Sequence, residues 1–162
     1  MTDLTVRIVH LDPMRVVCFN GFSNLKPGEE GDGPEPQAIE KLLTWAKDKG
    51  LLQAGSRRFF GYNNPEPTPA SPNYGYDIWM TVDAGTQVEG EGRIIEFPGG
   101  LYAVTSCTGP FHLPETWQRL VLWAEQSRYR MARHQWLEEH LNLLENPPVE
   151  AMQFDIYLPI AE

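Results

Sequence analysis

Apolar and polar positions change period several times along this 162-residue chain, and each change predicts an element. Val6 to His10 is β-branched and partly alternating; it leads through Asp12-Pro13 into Val16-Val17-Cys18-Phe19, a pattern that predicts a hairpin. Gly28 to Pro36, rich in Gly, Pro and acids, is a loop whose closing proline opens a helix. From Pro36 the apolar residues Ile39, Leu42, Leu43 and Ala46 keep helical spacing up to Gly50. A strand over Arg58 to Tyr62, a proline-rich loop over Asn63 to Tyr74 and a strand over Tyr76 to Val82 follow. The last of these carries Tyr76, Ile78, Met80 and Val82 on one face.

After a polar, Gly-rich hinge over Asp83 to Gly92 the series restarts. Arg93 to Phe97, Pro98-Gly99-Gly100 and Tyr102 to Val104 predict a second hairpin, Pro114 to Gln126 a second helix, and Phe154 to Ile160 a closing strand. The restart is a repeat about 78 positions on: Tyr76-Asp77-Ile78-Trp79-Met80 returns as Phe154-Asp155-Ile156-Tyr157-Leu158. Pro36, Leu42, Trp45, Ala46 and Asn64 return as Pro114, Leu120, Trp123, Ala124 and Asn142. Tyr129 to Leu144 has helical spacing, but the repeat sets Leu137 to Leu141 against Phe59 to Asn63, and the strand is preferred. The expected fold is α+β: a duplicated β-β-α-β-β unit with pseudo-twofold symmetry, forming an eight-strand antiparallel sheet with two helices on one face and a ligand groove on the other. One domain over 1–162 is expected, with repeat halves at about 5–82 and 93–160.

Five Trp, six Tyr and seven Phe give ample material for a core, and a net charge of -9 opposes contact with nucleic-acid phosphates or anionic lipid. A direct nucleic-acid or membrane partner is therefore not expected. Cys18 and Cys107 form no CxxC pair, Met1-Thr2-Asp3-Leu4 does not read as a signal peptide, and no apolar run approaches the roughly 20 residues of a membrane helix. A cytoplasmic location is the expectation. The four histidines show no metal-ligand spacing, no Gly-rich phosphate loop follows a strand, and no serine sits in a nucleophile elbow; neither metal nor cofactor is expected.

Four stretches together resemble the GyrI-like small-molecule-binding domain: Tyr76-Asp77-Ile78-Trp79, Pro98 to Val104, Gly109-Pro110-Phe111 before Pro114-Glu115-Thr116-Trp117, and Asp155 to Ile160. The resemblance runs nearly end to end and implies the same duplicated fold. Members of that family include effector domains of AraC- and MerR-type regulators, gyrase inhibitors, and stand-alone proteins, some of which hydrolyse cyclopropane-bearing electrophiles. The first strand begins close to Met1, which leaves no room for a helix-turn-helix module, so a stand-alone form is expected.

Strict alternation sets Asp77, Trp79, Asp155 and Tyr157 on the face away from the helices. The same reading puts Leu137 and Leu141 in the core and leaves Glu138 and His140 beside Trp79 and Tyr157, where the first copy has Phe60 and Tyr62. Glu138 then replaces an aromatic in a doubled scaffold, and it matches the glutamate that GyrI-like domains place shortly before an aromatic, Leu and Asn. His140 stands where that aromatic is usually Tyr. A carboxylate against aromatic walls suits a ligand cation or general-base work on water. Phe60, Tyr62, Trp79, Trp117, Trp136, Glu138 and Tyr157 are the candidate ligand-binding residues; Glu138, Tyr157 and His140 are the candidate catalytic ones, with Tyr157 or His140 as proton donor. Trp45 and Trp123 are expected to be structural, and Asp77 and Asp155, present in both copies, to bond a neighbouring hairpin.

The function expected is a binding protein for hydrophobic, aromatic or cationic small molecules, acting in sensing, sequestration or xenobiotic resistance. The alternative is a hydrolase of cyclopropane-type electrophiles that uses the groove glutamate. A third reading is a modulator of gyrase or another protein through the acidic loop Glu29, Glu30, Asp32 and Glu35, and a separate regulator is a further possible partner.

Overall fold

In a computed structural model of the chain, residues 4–23, 31, 33–52, 57–70 and 73–162 are described. Glu29, Glu30 and Asp32 of the acidic loop lie outside them. The chain divides into two compact units, Met1–Met14 with Pro98–Glu162, and Arg15–Phe97. Each holds four principal strands and one long helix, so the α+β class, the eight strands and the two helices of the sequence reading are present.

In the second unit, strands β2 (Met14–Phe22), β3 (Phe59–Asn63), β4 (Gly75–Thr81) and β5 (Arg93–Phe97) lie in the order β3-β4-β2-β5. Helix α1 (Pro34–Asp48) packs on β4 and buries Pro34, Ala38, Leu42 and Ala46; of the stripe that the spacing predicts, Leu42 and Ala46 are wholly buried and Ile39 and Leu43 only partly so. It passes close to Gly21, where a Cβ would collide with the backbone of Pro34 and Ala38.

In the first unit the order is β1-β6-β9-β8, for β1 (Arg7–Leu11), β6 (Gly100–Thr108), β8 (Leu137–His140) and β9 (Gln153–Ala161). A two-residue strand, β7 (Arg130–Met131), pairs with the end of β9. Helix α2 (Leu113–Glu125) packs on β6 and β9, with Leu120 and Ala124 buried against Ala103, Ile156, Leu158 and Ile160. The helical spacing of Tyr129 to Leu144 yields to strand pairing here: Leu137, wholly buried, is drawn into the sheet against β9.

Neither predicted hairpin forms. β1 pairs with β6 of the other copy, Arg7 opposite Val104 and Leu11 opposite Gly100, and β5 lies beside β2. Alternation specifies which side chains share a face and leaves the partner strand open. The repeat nonetheless shows in the burial of one strand pair, since β2 and β6 have the same buried and exposed positions throughout their nine residues. The duplicated aspartates hold the exchanged strands. Asp155, on β9, accepts hydrogen bonds from Arg7 of β1 (2.8 Å) and Ser106 of β6 (2.7 Å). Asp77, on β4, accepts from Arg93 of β5 (2.8 Å), Asn20 of β2 (2.8 Å) and Asn64 (3.0 Å).

Candidate functional site

The pairing of β8 with β9 decides where the candidate carboxylate points. In the second unit Phe60 lies opposite Trp79, so the repeat would set Glu138 opposite Tyr157. Instead Leu137 is opposite Tyr157, Glu138 is opposite Ile156, and Glu139 is opposite Asp155. β8 is displaced by one residue from its repeat position, and a one-residue slip exchanges the faces of every side chain on a strand. The expected placement of Glu138 and His140 beside Tyr157 is therefore corrected: both stand on the helix-facing side with Ile156, and Glu139 takes the Tyr157 side. Leu141, expected in the core, is exposed.

Opposite Ile78, the repeat counterpart of Ile156, stands Gly61, which makes it the true counterpart of Glu138. A Cβ at Gly61 would run into the ring of Tyr76. In the first unit Phe154 replaces Tyr76 and packs against the His140 ring at 5.1 Å, and the glutamate is accommodated. Room for a carboxylate at this point thus exists in one copy and is closed by an aromatic ring in the other.

Glu138 is partly buried, and its Oε2 accepts a hydrogen bond from Nε1 of Trp117 at 3.0 Å. Trp117 is carried by the first turns of α2, where Pro114 and Glu115 suit a helix start and where the apolar stripe shared with Leu120, Val121 and Ala124 turns its ring toward the core. Trp136, next to β8, packs against Trp117 with ring centroids 5.3 Å apart and planes tilted by 35°. Trp136 keeps 40% of its surface exposed, so this indole pair is reachable from solvent. Trp117, Gln118, Val121 and Leu122 border an open, mainly apolar depression of about 410 Å³. Three candidates from the sequence, Trp117, Trp136 and Glu138, therefore come together.

The other candidates lie elsewhere. Tyr157, 3% exposed, donates to Oε1 of Glu139 at 2.7 Å and packs edge-on against Tyr102 on the far side of the β6-β9-β8 sheet. Glu139 was missed, because two adjacent glutamates carry no signal of which one a strand turns inward. His140 is buried, and that burial lowers its pKa from 6.5 to about 4, which keeps the imidazole neutral at pH 7. In the second unit Phe60, Tyr62 and Trp79 share the face of β3 and β4 that is turned away from α1. Tyr62 packs edge-on against Trp79 at 5.3 Å, and Trp79 packs on Phe97 at 5.4 Å. Phe60 is wholly buried, Trp79 is 3% exposed and Tyr62 is partly buried, so of these three rings only that of Tyr62 retains appreciable contact with solvent.

Cys18 is buried, and burial, reinforced by the nearby Asp77 charge, pushes its thiol up to about 12, which marks it as unreactive filler. Trp45 meets Phe19 at 5.9 Å and Trp123 packs on the α2 core and stacks on Tyr129, in keeping with structural roles. Among the described residues no group of three His, Cys, Asp or Glu side chains is placed to hold a metal ion, and no helix is long and apolar enough to cross a membrane.

Comparison with known proteins agrees with this architecture. The chain is 26% identical to the probable transcriptional regulator YgiV of Escherichia coli K12 over 128 residues, covering 76% of this chain and 80% of YgiV. The fold is shared with a hydrolase from Listeria innocua (14% identity, TM-score 0.66, 99% of this chain and 94% of that one). It is shared also with SAV2435, solved bound to tetraphenylphosphonium (13% identity, TM-score 0.53, 98% and 94%). Residues 7–160 match the Cass2 family, described as integron-associated effector binding protein, and the chain belongs to that effector-binding family.

Proposed function

We propose that this chain binds hydrophobic, aromatic or cationic small molecules at the Trp117–Trp136–Glu138 cluster, and so senses or sequesters them. The observation that carries the reading is the partly buried Glu138 carboxylate held at 3.0 Å by the Trp117 indole, itself packed on the half-exposed Trp136. Aromatic faces offer contact area at little entropic cost, and a carboxylate among them favours positive charge. The acidic chain, at -9, attracts cations and repels anions. Effector-binding kinship and the tetraphenylphosphonium complex of SAV2435 support the same ligand class.

Hydrolysis of strained electrophiles is the second reading, supported by the likeness to the Listeria hydrolase. Geometry weighs against it. Tyr157 stands on the opposite side of the strand pair from Glu138 and bonds Glu139, and a His140 that protonates only near pH 4 is a weak proton donor at neutral pH.

Mass spectrometry on tetraphenylphosphonium, planar cationic dyes and cyclopropane electrophiles, run beside calorimetric titration of wild type and Glu138→Gln, separates the two. Binding expects saturable uptake of unchanged ligand, weakened in the variant. Catalytic formation of a water adduct by the wild type alone would replace the binding reading with the hydrolase one.

A further inference from the structure

We propose that one end of the first unit, built from residues outside the Trp117–Trp136–Glu138 cluster, is a docking surface for a basic amphipathic segment of a partner protein. β6 ends at Thr108, opposite Gln153 at the start of β9, and β8 ends at His140 on the other side of β9. The connections that leave these strand ends therefore gather at one end of the sheet. They form three short 3-10 turns, Pro110–His112, Leu143–Glu145 and Val149–Ala151, and each presents a large apolar side chain to solvent: Phe111 is 77% exposed, Leu144 50% and Val149 45%. The first of these turns packs on the third. Single apolar residues scattered over a surface are ordinary, whereas several gathered at one place mark an interaction surface. The turns are also stiff. The Gly109 amide donates to the Met152 carbonyl at 2.7 Å, and the Asn142 side chain donates to the Ala151 carbonyl and accepts from the Gln153 amide, each at 3.0 Å. Pro110, Pro147 and Pro148 restrict the backbone further. Anchors held in place beforehand lose little entropy when a partner covers them.

The other copy shows that this apolar character is not needed to close the loop. Between β3 and β4, Asn64 occupies the repeat position of Asn142, yet Asn64 to Tyr74 contains no Leu, Ile, Val, Met, Phe or Trp. Charge selects the occupant. Residues 109–118 and 141–153 carry Glu115, Glu145 and Glu150, all exposed, and no Lys or Arg. A second copy seated here face to face would set those carboxylates against their like, in addition to the repulsion between chains that each carry -9. An anionic lipid surface meets the same penalty. A segment with apolar side chains along one side and Lys or Arg along the other covers Phe111, Leu144 and Val149 and neutralises their acidic rim, which is how amphipathic helices dock.

Fluorescence anisotropy with a labelled synthetic Leu/Lys helix, its leucines at i, i+3, i+4 and i+7, tests the surface on the intact chain. Saturable binding is expected, weaker by about tenfold in Phe111→Ser, the loss of one well-covered apolar anchor. Glu145→Gln combined with Glu150→Gln should weaken it by about threefold at low salt, a deficit that fades as salt is added. These exposed positions tolerate change, and unchanged thermal unfolding of the variants verifies that they fold. Absence of saturable binding overturns the proposal. So does equal binding by wild type and Phe111→Ser, or equal binding of a Ser/Lys peptide that keeps the charges, since either means attraction of any polycation to an acidic chain. Two further measurements address the other occupants. A dimer seen by sedimentation and lost in Phe111→Ser would assign the surface to a second copy, and flotation with phosphatidylcholine vesicles lost in the same variant would assign it to a membrane; either result overturns the partner-protein assignment.

Discussion

Glu138 and Glu139 are neighbours in sequence and meet different surroundings, because successive residues of a strand turn to opposite faces. Glu138 receives the Trp117 indole on the helix-facing side; Glu139 receives the Tyr157 hydroxyl in a buried position on the other. The Tyr157–Glu139 bond is accordingly assigned to stability. Tyr157→Phe removes a donor from a buried carboxylate and is expected to cost about 1–3 kcal/mol by thermal denaturation while leaving tetraphenylphosphonium affinity unchanged. Lost affinity at unchanged stability would return Tyr157 to the ligand site. His140 contributes a pH dependence with a definite sign. The folded protein keeps it neutral down to about pH 4, whereas in an unfolded chain it protonates near 6.5. Between those values the unfolded state binds more protons, so stability rises with pH through the window, is complete above about 6.5, and changes by up to about 3 kcal/mol. Urea unfolding of wild type and His140→Phe from pH 4 to 7 should show that slope in the former and a flatter profile in the latter; parallel profiles would contradict it.

At the scale of elements, each exchanged strand opens on an arginine that reaches a duplicated aspartate: Arg7 of β1 to Asp155, and Arg93 of β5 to Asp77. The two clasps are unequal. Asp77 is fully buried and collects three side-chain donors, while Asp155 retains slight exposure and collects two. Asp77→Ala is therefore expected to cost about 3 kcal/mol by urea denaturation, and clearly more than Asp155→Ala; the reverse order would contradict the assignment. These elements were mostly legible in advance. Helical spacing located both helices to within two residues, and the repeat identified β8 as a strand against its own helical pattern. Two things were not legible. Alternation in Val6 to His10 states a face and is silent on the partner, so the sequence predicts two hairpins where the structure exchanges β1 and β5. The slip of β8 sets Leu137, Glu138 and Glu139 in the places of Phe60, Gly61 and Tyr62, one position short of the repeat that the helices keep, in a stretch where no repeated motif fixes the count, and it reverses the side on which Glu138 stands.

Over the whole molecule, duplication supplies the scaffold and the difference between the copies supplies the candidate site. Where Gly61 lets the Tyr76 ring lie against β3, the other copy keeps a glutamate bonded to the Trp117 indole, on which Trp136 packs. The acidic charge of -9 then biases an effector-binding fold toward cations, through long-range attraction that weakens as salt is added. The most direct test is a crystal structure with tetraphenylarsonium, whose arsenic marks its own position by anomalous scattering. The account predicts an anomalous peak within about 6 Å of the Trp117 ring, diminished in crystals of Glu138→Gln. A peak among Phe60, Tyr62 and Trp79 instead, or one beside Trp117 that is indifferent to Glu138, would contradict it.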